Sequence, residues 1–505
     1  MNKVSIQRLA TGVPGLDELL GGGVPEYSFN LLAGMPGSGK TTMAHQIMFA
    51  LANPQRRALF FTVLGEPPLK MLRYQQQFPF FDVDKINQSI RFVNLAAELL
   101  EGDFERVLER INEEVLAYAP SLVFVDSFRS LAHSAQAMNA GANGLHHFVQ
   151  QLGTQMTSWL ATTFLIGEYQ AAETESSPVF TVADGIIWLS QLIHRDAVVR
   201  KIQVVKMRGQ AQSLGVHTFR ISDNGIEIFP RAVLQARATG HIGDGSDQRL
   251  SLGVAAIDLM MGGGLPVGYS MLVVGPSGSG KTVLATQFLD EGVRIGEPGV
   301  IAQFEKSSNR LMSRKLDAMI ARGDIGVINT RTLDLSLDEI LHDLIVMIVR
   351  MKARRVVIDS LSGFEMALAA VFREVFRESL YRLVTSLTDM GVTVLMTAEM
   401  EDRYTELRFS PHGNAFLADA ILMQRYIEMQ GKLRRALSIV KVRGSAHSDA
   451  IHLYDISADG IAIGASLEQF QGVLTGQPVA SSEHRKYPGH LRAAGKAGKL
   501  PGGAS

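Results

Sequence analysis

The 505 residues contain no cysteine. That excludes disulfides, thiolate nucleophiles and zinc-thiolate centres, and it suits a reducing compartment. Charge of one sign is also missing: 49 Lys and Arg stand against 50 Asp and Glu, for a formal net charge of -1. There is thus no global basic field for nucleic acid and no acidic bias towards disorder. Long apolar runs are absent too. LIVMIV at 344–349 is too short to span a bilayer and is flanked by charge. The opening MNKVSIQRLA lacks the apolar core of a signal peptide. Histidines are scattered without metal-ligating spacing, and the adjacent His146 and His147 point apart on a helix. The class expected is a soluble cytoplasmic protein of several domains.

What is present is a repeat. GLDELLGGGVP begins at Gly15 and AIDLMMGGGLP at Ala256. Lys40 and Lys281 are 241 residues apart, Asp126 and Asp359 are 233 apart, and Arg208 and Arg443 are 235 apart. One order of landmarks occurs twice, which is a domain duplication and not a short solenoid period. The boundaries read as a first domain over 1–237, a linker over 238–250, a second domain over 251–470, and a flexible basic tail over 471–505. The tail is either a solvated end or a docking segment for a partner. Within each repeat, continuous apolar runs such as FNLLAG, SLVFVDS and SMLVVG alternate with amphipathic stretches such as DFERVLERINEEVLAYA. This alternation predicts an α/β fold: a mostly parallel sheet covered by helices on both faces.

The strongest motif is G-x-x-x-x-G-K-T. It occurs as Gly34, Met35, Pro36, Gly37, Ser38, Gly39, Lys40, Thr41, Thr42 and again as Gly275, Pro276, Ser277, Gly278, Ser279, Gly280, Lys281, Thr282, Val283. Each copy follows a predicted strand and opens a predicted helix, the context a phosphate-binding loop needs. Glycines let backbone N–H groups turn inward on phosphate oxygens, and the helix N-terminus adds positive potential. In that chemistry Lys40 and Lys281 reach the β- and γ-phosphates of ATP, and the hydroxyls of Thr41 and Thr282 ligate Mg²⁺. The apolar strands SLVFVDS and RVVIDS end on Asp126 and Asp359, which fit the second metal-holding position. A site that binds nucleotide without hydrolysing it has the same loops.

These residues resemble the KaiC family of tandem RecA-like P-loop ATPases. The resemblance runs over about residues 7–476 and includes RVVIDSLSGFE (355–365), VADG (182–185), KMRG (206–209), KVRG (441–444) and VLTG (473–476). It implies two RecA-like domains, a homohexameric double ring, and ATP bound between neighbouring subunits. On that reading Lys206 with Arg208, and Lys441 with Arg443, lie two apart on a strand and act on a neighbour's γ-phosphate. The alternative is a solvated basic edge strand that blocks edge pairing.

Two departures from the family pattern bear on activity. The family carries paired glutamates after the P-loop helix, the first resembling a water-polarising residue. Here the first repeat has Gly65 and Glu66, and the second has Glu305 and Lys306. Glu305 occupies the first position and is the preferred residue for activating water, with Glu66 as a displaced substitute. The second departure is the phosphoacceptor pair. Aligning on Asp419 puts Ala415 and Phe416 where the family's clock member has Ser and Thr, and neither accepts a phosphoryl group. Ser410 and Thr405 are the nearest hydroxyls. The leading function is a ring ATPase that switches conformation for an unknown signalling partner. The other readings are a Ser/Thr autokinase, a DNA-dependent motor, and a nucleotide-gated scaffold with little turnover. No DNA-binding motif or basic-aromatic platform supports the motor. Glu168 and Glu399 end corresponding strands, either as γ-phosphate sensors or as structural hydrogen-bonding groups, and Trp188 reads as core and not as an adenine platform.

Overall fold

The computed structural model describes residues 6–63, 68–100, 104–128, 149–155, 158–174, 177–194, 197–231, 248–304, 310–329, 336–368, 376–400, 417–473 and 478–480. In the first repeat the strands are β1 (Phe29–Gly34), β2 (Ala58–Thr62), β3 (Ile90–Asn94), β4 (Leu122–Asp126), β5 (Thr162–Glu168), β6 (Gly185–His194), β7 (Ala197–Met207), β8 (His217–Ser222) and β9 (Gly225–Phe229). The main helices are α1 (Lys40–Leu51) and α2 (Phe104–Tyr118). The nine strands form one sheet in the order β9-β8-β7-β6-β1-β5-β4-β2-β3. Pairing is parallel from β3 through to β6 and antiparallel from β6 to β9.

The second repeat repeats that order strand for strand. Its strands are β10 (Ser270–Gly275), β11 (Gly299–Gln303), β12 (Ile325–Asn329), β13 (Arg355–Asp359), β14 (Thr393–Glu399), β15 (Ala420–Met429), β16 (Lys432–Val442), β17 (His452–Ser457) and β18 (Gly460–Ser466), arranged β18-β17-β16-β15-β10-β14-β13-β11-β12. Helices α3 (Lys281–Arg294), α4 (Leu337–Met351) and α5 (Phe376–Asp389) pack on it. The chain is therefore two tandem RecA-like α/β domains.

The apolar strands are explained by two-sided burial. All six residues of β1 are buried. Leu32 faces a core with Met43, Ile47, Phe60, Phe124 and Phe164, while Leu31 and Ala33 face a second core with Phe61, Val125 and Leu165. Successive side chains on a strand point to opposite faces, so a strand covered on both sides reads as a continuous apolar run. Trp188 packs against the second of these cores, in line with its reading as a core residue.

A short pairing of Arg249–Leu250 with Leu265–Pro266 opens the second repeat, as Arg8–Leu9 with Val24–Pro25 opens the first. The repeats touch where α4 meets β8 and β9. Ser336 caps α4 through a reciprocal capping box with Glu339. The Glu339 carboxylate also accepts a 2.9 Å ion-paired bond from Arg220 of β8, and Phe229 meets His342 edge-on at 5.7 Å. Among the described residues no helix is long and apolar enough to cross a membrane.

Candidate nucleotide sites

Each phosphate loop is built by a strand that stops and a helix that starts. Gly39 and Gly280 stand immediately before α1 and α3 with φ of 99° and 102°. A side chain there would have to adopt a left-handed backbone, and its Cβ would lie 2.8 Å from Ile221 Cδ1 or 2.6 Å from Ile456 Cδ1. The Lys40 ammonium donates to the Met35 carbonyl at 2.8 Å, and Lys281 donates to the carbonyls of Gly275 and Pro276, both at 2.9 Å. Burial pulls the Lys40 pKa down, opposed by the charges of Glu168 and Asp126. Val283 is buried in the core. Thr42 is half-buried on the first turn of α1.

Beside each loop a hydroxyl meets a carboxylate. Thr41 Oγ1 donates to Asp126 Oδ2 at 2.7 Å, and Thr282 Oγ1 to Asp359 Oδ2 at 2.9 Å. These pairs reach across β5 and β14, because those strands lie between the loop strand and the aspartate strand. The intervening strand ends on Glu168 in one repeat and on Glu399 in the other, both exposed at the carboxyl edge of the sheet. Burial pushes the Asp126 carboxyl up to about 6. The Thr41 hydrogen bond and Lys40 oppose this, while Glu168 adds to it. A carboxylate held at such a desolvation cost, with a hydroxyl at its side, is a hard oxygen donor set of the kind that suits a magnesium ion with phosphate oxygens.

The basic pairs sit elsewhere. Met207 pairs with Gly185, which pairs with Asn30, and the Arg208 N–H donates to the carbonyl of Asp184, whose own N–H donates to Phe29. Arg208 is thus level with the start of β1, five residues or about 17 Å from the phosphate loop at its other end. Lys206 Nζ donates to the carbonyls of Phe180 and Thr181 at 3.4 and 3.1 Å, and Arg208 pairs with Asp184 at 3.1 Å. Lys441 donates to Ala418 at 2.7 Å, and Arg443 pairs with Asp419 at 2.9 Å. Burial lowers the pKa of both lysines, and the adjacent arginines lower it further. The arginine side chains remain 58% and 61% exposed. β7 pairs with β8 only over Arg200–Ile202 and β16 with β17 only over Arg435–Leu437, so Lys206 and Lys441 lie on stretches with a strand on one side only, which is also what a solvated basic edge requires.

Sequence reasoning passed over Thr397. Its hydroxyl donates to Asp359 Oδ1 at 2.5 Å, so the second aspartate accepts from two threonines. The matching residue on β5 is Ile166. Aligning the two repeats on Glu168 and Glu399 would have exposed that exchange. Glu66, Glu305 and Lys306 lie outside the described residues, as do Thr405, Ser410, Ala415, Phe416, His146, His147 and residues 481–505 of the tail.

A family model, ATPase KaiC, matches residues 9–233 and again residues 250–468. The chain belongs to the KaiC ATPase family. It is 26% identical over 487 residues to the circadian clock oscillator protein KaiC of a Picosynechococcus species, covering 94% of this chain and 93% of the relative. It is 27% identical over 494 residues to the circadian clock oscillator protein KaiC 1 of a Synechocystis species, covering 95% and 93%. The KaiC protein of Thermostichus vulcanus is 26% identical over 498 residues, covering 96% and 94%. The doubled match follows the doubled sheet, loop for loop.

Proposed function

We propose that this chain binds ATP at both phosphate loops and hydrolyses it in a cytoplasmic homohexameric double ring whose conformation signals to a partner protein. One observation carries the ring: in both repeats the exposed arginine lies at the end of the sheet opposite its own loop. Arg208 and Arg443 lie far from their own loops, which supports the reading that each serves the nucleotide of a neighbouring copy. Head-to-tail contacts whose rotation closes form rings.

In this reading the backbone of Gly37–Lys40 and Gly278–Lys281 wraps the phosphates, and the two lysines leave their carbonyl partners for phosphate oxygens. Thr41 with Asp126, and Thr282 with Asp359, would hold a magnesium ion, which would supply charge neutralisation at the phosphates. Glu305 takes a proton from the attacking water, or orients it, in the second repeat, and Glu66 is its displaced counterpart in the first. The first ring would then turn over slowly and mainly hold the assembly together. The oscillator role named for the relatives is not carried over, because Ala415 and Phe416 stand at the phosphoacceptor positions.

The test is ATP hydrolysis by the purified chain and its Glu66→Gln, Glu305→Gln and doubly substituted forms, with assembly mass measured alongside. The expected result is a hexamer whose turnover is abolished by Glu305→Gln and largely kept by Glu66→Gln. A monomer with full turnover would refute the ring, and an unaffected Glu305→Gln protein would move the chemistry to the first repeat.

A further inference from the structure

The two phosphate loops share a backbone but not what stands behind it. In the second repeat the Tyr454 hydroxyl of β17 donates to the Ser279 carbonyl at 2.5 Å, and the Ser279 hydroxyl donates to Gln424 Oε1 of β15 at 3.0 Å. Tyr454 is 1% exposed and Gln424 0%. In the first repeat the same register positions hold Phe219 and Leu189. Ser38, the counterpart of Ser279, is fully buried, and among the described residues its hydroxyl has no partner.

We infer that Tyr454 and Gln424 are positioning residues that orient the second phosphate loop for the triphosphate, and that the first loop lacks this device. The argument rests on the nucleotide-binding reading above. In a trans peptide the carbonyl of one residue and the N–H of the next point in opposite directions. Drawing the Ser279 carbonyl towards β17 therefore turns the Gly280 N–H the other way, into the concavity of the loop where phosphate oxygens bind. Burial raises the Tyr454 pKa, so its phenol stays protonated and remains a donor at any working pH. The Gln424 amide fixes the neighbouring Ser279 hydroxyl, so side chain and carbonyl of one loop residue are both tied. A donor group set in advance does not have to be ordered when the ligand arrives, and the affinity gains what that ordering would have cost.

The experiment titrates the magnesium complex of the non-hydrolysable analogue AMP-PNP calorimetrically into full-length chain carrying Lys40→Ala, which leaves the second loop as the competent site. Adding Tyr454→Phe is expected to weaken binding about threefold to tenfold with unchanged stoichiometry, the scale of one hydrogen bond. Gln424→Leu is expected to weaken it by about threefold. The converse change, Phe219→Tyr in a Lys281→Ala chain, is expected to tighten the first loop. Loosened packing would instead reduce the number of sites at constant Kd, and that result overturns the inference. So does an unchanged Kd in Tyr454→Phe or, should that protein not fold, in Gln424→Leu and Phe219→Tyr. No binding by the Lys40→Ala parent would sink the nucleotide-binding reading itself, and this inference with it.

Discussion

Ile166 and Thr397 occupy the same place in their sheets, next to the strand that ends on the metal-fitting aspartate. Leu189 and Gln424 match in the same way, as do Phe219 and Tyr454, and Leu122 and Arg355. At all four positions the first repeat is apolar and the second is polar. Arg355 is fully buried, bonds to the carbonyls of Ser251 and Phe288 at 2.7 and 3.0 Å, pairs with Glu297 at 3.2 Å and stacks on Phe288. The exchange runs the other way at the start of the loop strand, where the first repeat has buried Asn30 donating to Ser28 and Thr163 and the second has apolar Met271. In the second repeat the added directional bonds reach the loop, the aspartate and the lower edge of the sheet. Behind its loop the second repeat thus carries polar ties where the first has packing.

The comparison is sharpened most by the basic pairs. Arg443→Ala is expected to reduce ATP turnover by about 10³, within the range for an arginine acting in trans. Arg208→Ala is expected to affect ring assembly more than rate. Measured turnover and assembly mass check both, and equal losses of turnover would erase the division. Next comes Arg355→Leu, which copies Leu122 into the second repeat and leaves Glu297 without its buried partner. It is expected to cost about 3 kcal/mol in a denaturant titration. A loss near zero would show that the buried network contributes no stability.

A smaller effect is expected at Thr397. Thr397→Ile gives Asp359 the surroundings of Asp126 and removes one donor to its carboxylate. A shift of the magnesium dependence of hydrolysis to about threefold to tenfold higher concentration is expected, with little change at saturating metal. An unaltered magnesium titration would make Thr397 a packing residue.

The smallest effect concerns Asp126. Its native pKa of about 6 lies above the ordinary 3.8. The group therefore favours the folded state at a pH below about 4, and that contribution is lost as the pH rises through about 6. With a chelator present at pH 7, Asp126→Asn is expected to raise the stability of the first repeat by about 1 kcal/mol, after a discount for solvent at the half-buried carboxylate. At pH 4 the gain should vanish, and thermal melts at the two values measure the difference. Equal melts at both would show that the carboxylate is not strained by burial.

Much of this molecule was legible from the chain alone. The repeat was visible because loop glycines, lysines and strand-end aspartates recur in one order. The strands were visible because two-sided burial leaves continuous apolar runs. Lys40 with Thr41, and Lys281 with Thr282, could be found from spacing because a phosphate loop is local: one turn and one helix start contain it. Thr397, Gln424 and Tyr454 could not be found that way. Each acts on a residue 38, 145 or 175 positions away, and only sheet order and register bring it there. The direction of the basic pairs was equally hidden. Their spacing puts two cations on one strand, but the antiparallel return of β7 and β16 decides that they lie at the far end of the sheet from their own loops. Local chemistry was thus set by neighbours along the chain, while strand register decided what stands behind each loop and how far each arginine lies from its own loop.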